Sequence, residues 1–161
     1  MDTLTALTAE LGQRLKARKH TVAVAESSSG GLISAALLAV PGASAFFVGG
    51  GVIYTRRARD ELLALTADAL PGIRSSTEEY ARALAAHVRE RLGTTWGLAE
   101  TGAAGPAGNR YGDAPGHTCI AVAGPVQRVL TLETGDADRE ANMWAFARAA
   151  LALLEAALGA S

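Results

Sequence analysis

The 161-residue sequence is poor in several residue types, and each shortage closes off a class of function. It has one cysteine, Cys119, so no disulfide can form within the chain. A reducing, cytoplasmic compartment is therefore expected. Three histidines, His20, His87 and His117, show no metal-ligand spacing, and no metal is expected. Aromatic residues make up 5% of the chain and the net charge is −1. There is no basic stripe with interleaved aromatics, which argues against nucleic acid as a partner. The N-terminus lacks the charged start and apolar run of a signal peptide. No stretch of about 18 residues is free of charges and helix breakers, so no membrane span is expected. Lysine is the scarcest cation, with only Lys16 and Lys19 against 13 arginines. An arginine can therefore stand where a relative carries lysine.

What remains is a chain that can build a core. Apolar residues reach 49% and charged residues 19%, which excludes a disordered chain. The length suits one domain over residues 1–161. The 35 alanines imply thin side chains and close helix packing.

The apolar spacing predicts the element order α-β-α-β-α-α-β-loop-β-β-α. Leu4, Leu7, Leu11 and Leu15 form one helical stripe. Residues 21–25 read as a strand and residues 32–39 as a helix stopped by Pro41 and Gly42. Residues 46–54 read as a strand whose Gly49, Gly50 and Gly51 imply a bulge or close backbone approach. Residues 56–65 read as a helix. Ser75 and Ser76, ahead of Glu78 and Glu79, predict a capping box opening a helix to Leu92. Residues 95–99 read as a strand, and residues 102–116 as a long Gly-rich loop. A hairpin follows across Gly124-Pro125, and a last helix runs from Asp136 or Asp138 to Gly159. The pattern implies a mixed sheet with helices packed on it.

Four segments could carry chemistry. Ala25-Glu26-Ser27-Ser28-Ser29-Gly30-Gly31 joins a strand to a helix. A hydroxyl there could be a nucleophile, with helix N–H groups stabilising an oxyanion. Alternatively a serine caps the helix and the glycines turn the chain. The segment matches neither the P-loop nor the Rossmann glycine pattern. Tyr54, Arg56, Arg57 and Arg59 follow a strand and could relay a proton and bind phosphate or carboxylate, or could be a solvated helix start. Glu100-Thr101-Gly102-Ala103-Ala104-Gly105-Pro106 could cradle a phosphate or ribose, or be a plain loop. Asp138-Arg139 opens the last helix, with Arg139 either solvated or an anion contact. Cys119 reads as core.

In order and spacing, these segments resemble the CinA C-terminal domain family over about residues 5–158. The family pattern A-E-S-C-T-G-G stands here as residues 25–31, and V-P-G-S-S-A-x-F as Val40 to Phe47. G-G-V-x-x-Y is Gly50, Gly51, Val52, Ile53 and Tyr54, one residue shorter or shifted in alignment. T-G-I-A-G-P is Thr101 to Pro106, I-A-V-A-G-P is Ile120 to Pro125, and G-D-R is Ala137-Asp138-Arg139.

The resemblance implies a three-layer α/β/α sandwich around a mixed sheet of about five strands. It also implies hydrolysis of the carboxamide of nicotinamide mononucleotide to nicotinate mononucleotide and ammonia, without metal or cofactor. Ser27 would be the nucleophile, with Tyr54 and Arg59 as its partners. Ser29, Gly30, Gly31, Thr101, Gly102, Ala103, Ala104, Gly105 and Arg139 would shape the nucleotide site. A homodimer or higher homo-oligomer is expected. One departure is chemical. The family carries a lysine base five residues after the tyrosine, and this chain carries Arg59. A guanidinium stays charged and cannot accept the serine proton. Glu26, Glu100 and His117 are the candidate replacements. The alternative is an impaired member that binds a pyridine nucleotide or a partner protein.

Overall fold

The computed structural model describes residues 3–161. Helix α1 (Leu4–Arg18) is capped by the Thr3 hydroxyl, which accepts the Ala6 N–H, and it ends at Lys19 in the left-handed region. Strand β1 (Val22–Glu26), helix α2 (Leu32–Leu38) and strand β2 (Phe47–Val52) follow. Helices α3 (Arg56–Leu63) and α4 (Glu78–Leu92) precede strands β3 (Trp96–Ala103), β4 (His117–Ala123) and β5 (Arg128–Glu133), and α5 (Arg139–Gly159) closes the chain. The element order is the one the sequence predicts.

The sheet order is β2-β1-β3-β4-β5. β1 runs parallel to both β2 and β3, while β3, β4 and β5 are antiparallel neighbours. The expected mixed five-stranded sheet is thus present. Its two faces differ because the strands alternate large and small residues with period two. Val22, Val24, Trp96, Leu98, Ile120 and Val122 face α1, α2 and α5. Ala23, Ala25, Ala99, Cys119, Ala121 and Ala123 face α4 and the end of α3. The thin face lets α4 come close. A Cβ on Gly97 would stand 2.1 Å from the Ala85 carbonyl oxygen. The glycines of β2 have a related reason. The β1–β2 register slips between Val22 and Ala23, and a Cβ on Gly50 would meet the Val24 carbonyl oxygen at 2.5 Å.

α5 is long and apolar enough to cross a membrane by length and composition alone. It is instead packed on the sheet through Phe146, Ala147, Ala150, Leu151, Leu154, Ala157 and Leu158.

Two boundaries differ from expectation. β3 continues to Ala103 because β4 pairs with it down to the Ala103–His117 step, so residues 102 and 103 are strand, not loop. The α4 cap is Thr77, whose hydroxyl accepts the Tyr80 N–H. Ser76 takes a left-handed φ of 61° and turns inward, where its N–H donates to Thr101 Oγ1 at 3.0 Å.

Candidate functional site

At the C-terminal ends of β1 and β3 lie two fully buried carboxylates, Glu26 and its register partner Glu100. Each belongs to a strand, so the sheet fixes its position. Glu26 accepts five hydrogen bonds. Its Oε1 takes the Ser29 hydroxyl and the Gly31 and Ile33 N–H groups, and its Oε2 takes the Ser34 N–H and hydroxyl, all at 2.7–3.1 Å. Glu100 accepts four, from the Ser27 and Ser29 N–H groups and the Ser28 and Thr118 hydroxyls. The loop after β1 is therefore locked by the two strands beside it.

This arrangement corrects two expectations. The first-turn N–H groups of α2 do not face a ligand, because Glu26 already takes them. No serine caps α2 either; its N-cap is Gly31 at φ 100°, and Ser29 donates to Glu26 instead. Glu26 and Glu100 are anchors whose lone pairs are committed, which removes both as candidate bases.

Ser27 is the exception in its loop. Its hydroxyl makes no hydrogen bond among the described residues, and the residue lines a cleft of about 460 Å³. Tyr54, Arg56, Arg59, Thr101 and Gly102 line the same cleft. Of the other expected binding residues, Ser29, Gly30, Gly31, Ala103, Ala104, Gly105 and Arg139 are not brought to its wall. Backbone conformation accounts for two of the glycines: Gly30 has φ 67° and Gly105 φ 112°, where a Cβ would also meet the Ala137 carbonyl oxygen at 2.8 Å. Arg139 acts one step back, donating to the Gly105 carbonyl and to the Tyr54 hydroxyl at 3.1 Å.

Arg59 is buried, yet it reaches the cleft from α3. It pairs with Asp60 at 3.0 Å and donates to the Tyr80 hydroxyl at 3.4 Å. Burial opposes its charge, but the Tyr80 and Asp60 hydrogen bonds outweigh it and raise its pKa above the ordinary arginine value. It is a fixed cation.

His117 is also ruled out as the base for Ser27. Its Nδ1 bonds Glu133 and its Nε2 bonds the Ser76 carbonyl at 2.9 Å, and His117 itself does not line the cleft. Cys119 is core as expected, and burial pushes its thiol pKa up. Among the described residues no His, Cys, Asp and Glu cluster could hold a metal ion.

Sequence reasoning missed the far wall, formed by Arg74, Tyr80, Asn109, Arg110 and Tyr111. Their only sequence signal is that Asn109-Arg110-Tyr111 breaks a Gly- and Ala-rich loop with three polar or aromatic side chains. The loop is tied to α5 by buried Asn142. Its Nδ2 donates to the Ala104 and Asp136 carbonyls at 2.7 and 2.8 Å, while its Oδ1 accepts the Thr134 hydroxyl.

Comparison with known proteins agrees with this architecture. The profile of the CinA C-terminal domain matches residues 4–158. A CinA-like protein of Desulfosudis oleivorans is 42% identical over 120 residues, covering 74% of this chain and 29% of that protein. One of an Anaeromyxobacter species is 40% identical over 147 residues, covering 90% of this chain and 36% of that protein. The chain thus spans about a third of the length of these relatives. The solved CinA superfamily protein of Klebsiella pneumoniae 700603 superposes with a TM-score of 0.91 at 25% identity, covering 99% of this chain and 100% of that one. The competence/damage inducible protein CihA of Agrobacterium tumefaciens gives 0.88 at 27% identity, with 99% of each chain covered.

Proposed function

The chain belongs to the CinA C-terminal domain family, and from that premise we propose that it hydrolyses the carboxamide of nicotinamide mononucleotide with Ser27 as nucleophile. One observation carries the reading. Every neighbouring hydroxyl in the loop after β1 is bonded to Glu26 or Glu100, whereas Ser27 Oγ is unbonded and its residue lines the cleft.

In this reading Ser27 Oγ attacks the amide carbon and forms a tetrahedral intermediate. The C–N bond then breaks, the nitrogen takes a proton from solvent and leaves as ammonia, and an acyl-serine ester remains. Water then cleaves the ester, releasing nicotinate mononucleotide and restoring the hydroxyl. None of Arg59, Glu26, Glu100 and His117 can accept the serine proton. Arg59 stays charged, both glutamates are saturated, and both His117 ring nitrogens are engaged. Solvent takes the proton. Turnover is then about 10²–10⁴-fold below that of a site with a general base.

Arg59 itself favours a second reading, nucleotide binding without turnover. A fixed guanidinium suits an anion better than a proton transfer.

The test is ammonia release from nicotinamide mononucleotide by wild type, Ser27→Ala and Arg59→Lys. Release that vanishes in Ser27→Ala and rises in Arg59→Lys is the expected result. No release from the folded wild type or from Arg59→Lys, at enzyme levels able to detect a 10⁴-fold loss, would leave the binding reading standing.

A further inference from the structure

Four arginines line the cleft: Arg56, Arg59, Arg74 and Arg110. Two carry a carboxylate partner. Arg59 has Asp60 at 3.0 Å and Arg74 has Asp113 at 2.9 Å. Arg56 and Arg110 have none among the described residues. Both donate instead to one oxygen, the Tyr111 hydroxyl, at 3.4 and 2.9 Å. Two guanidiniums that converge on a neutral oxygen repel each other. An anion between them would relieve that repulsion.

The Tyr111 ring is held in place. The backbone N–H groups of Tyr111 and Asp113 both donate to Asn109 Oδ1, at 3.0 and 3.1 Å, and Asn109 Nδ2 donates to Asp113 Oδ2 at 2.8 Å. The Arg74 guanidinium lies 4.6 Å from the ring centroid and that of Arg110 lies 5.0 Å from it. The phenol registers the surrounding positive potential. Hydrogen bonds with Arg110, Ser75 and Arg56 outweigh partial burial and lower its pKa to about 8.

We propose that Arg56, Arg110 and the Tyr111 hydroxyl form the subsite for the phosphate monoester of the nucleotide whose amide reaches Ser27. The inference rests on the nucleotide reading above and adds which end of the ligand lies where. A phosphate dianion accepts paired hydrogen bonds from guanidinium forks and one from the phenol. The groups that face Tyr111 are Arg56 from α3, Arg74 and Ser75 from the segment before α4, and Arg110 from its own loop, with Asp113 behind Arg74. Above pH 8 the phenolate supplies the missing negative charge and competes with phosphate.

The experiment is calorimetric binding of ribose 5-phosphate, with ribose and inorganic phosphate as comparison ligands, to the full chain. Wild type is expected to bind ribose 5-phosphate, and ribose far more weakly. Arg56→Gln and Arg110→Gln each weaken ribose 5-phosphate about 10- to 100-fold. Raising the pH from 7 to 9 weakens binding in wild type and not in Tyr111→Phe. Absent binding, or binding that neither arginine substitution alters, overturns the subsite. Inorganic phosphate binding as tightly as ribose 5-phosphate assigns the cluster to the free anion and overturns the nucleotide assignment. Because ribose 5-phosphate has no amide, this result is independent of ammonia release. Failure of the subsite and failure of the amidase reading are therefore distinguishable.

Discussion

The strand ends behind Ser27 and the loop that borders the cleft treat charge in opposite ways. At the β1–β3 end, two buried carboxylates accept nine hydrogen bonds between them. At the loop end, two exposed guanidiniums share one phenol oxygen. The first end has what a folded chain needs, since buried polar groups left unpaired are costly. The second end lies in water, where an unpaired charge costs little, so it can wait for a partner. Behind the cleft thus lies a scaffold whose charges are used up, and at its edge a rim whose charges are not. Ser27 sits on the scaffold and lines the cleft.

Emptying the saturated end should give the largest effect. Glu26→Ala leaves the Gly31, Ile33 and Ser34 N–H groups and two serine hydroxyls without their acceptor. A loss of about 3–5 kcal/mol in unfolding free energy is expected, measured by urea titration. The contrast sharpens when Arg56→Gln and Arg110→Gln are run in the same titration. Both should stay within about 0.5 kcal/mol of wild type, because surface substitutions remove no buried bond. A Glu26→Ala protein as stable as wild type would break the comparison.

The next effect joins the two ends. Asn142→Ala removes the three hydrogen bonds that tie the start of the cleft loop to α5. It should cost about 1–3 kcal/mol, since two carbonyls and a hydroxyl lose their partner. The signature is local. Hydrogen exchange should quicken at Gly116 N–H, which bonds the Ala103 carbonyl, before it quickens in the core strands. Exchange that rises uniformly would show that Asn142 supports the whole fold and not this loop.

The scaffold was more legible in the sequence than the rim, and physics explains why. Strand alternation and leucine spacing are periodic signals, so the elements and the mixed sheet could be read from Val22-Ala23-Val24-Ala25 and from Leu4, Leu7, Leu11 and Leu15. The Ser27 loop could be read because its residues lie together in the chain. Three readings failed for want of non-local information. Gly102 looks like loop chemistry, but β4 passes so close that a Cβ would stand 2.3 Å from the His117 carbonyl oxygen. Glu26 and Glu100 look like candidate bases, and only the parallel pairing of β1 with β3 shows their bonds are committed. The arginine rim gathers positions 56, 74 and 110, which nothing in local spacing joins.

The smallest expected effect is a pH slope behind the rim. Burial lowers the His117 pKa, but hydrogen bonds with Glu133 and the Ser76 carbonyl and the charges of Asp113 and Glu133 outweigh it, so the net shift is upward. A folded pKa above the unfolded value, about 6.5, means the protonated ring stabilises the fold. That contribution is full below the unfolded value and is lost as pH rises through the folded one. Asp113 runs the other way. Burial raises its pKa, but hydrogen bonds with Arg74 and Asn109 and the charges of His117 and Arg74 lower it overall. Its contribution is therefore present above the unfolded carboxylate value and lost only in acid. Both are in place between about pH 4 and pH 6.5. From pH 5.5 to 7.5, below the Tyr111 titration, wild type should lose stability through His117. Glu133 is half exposed, so solvent screening keeps the loss under about 1 kcal/mol. Urea midpoints at the two pH values measure it, and His117→Gln should flatten the difference. A slope that survives in His117→Gln would move the titration to another group and leave His117 a neutral brace between β4 and the Ser76 turn.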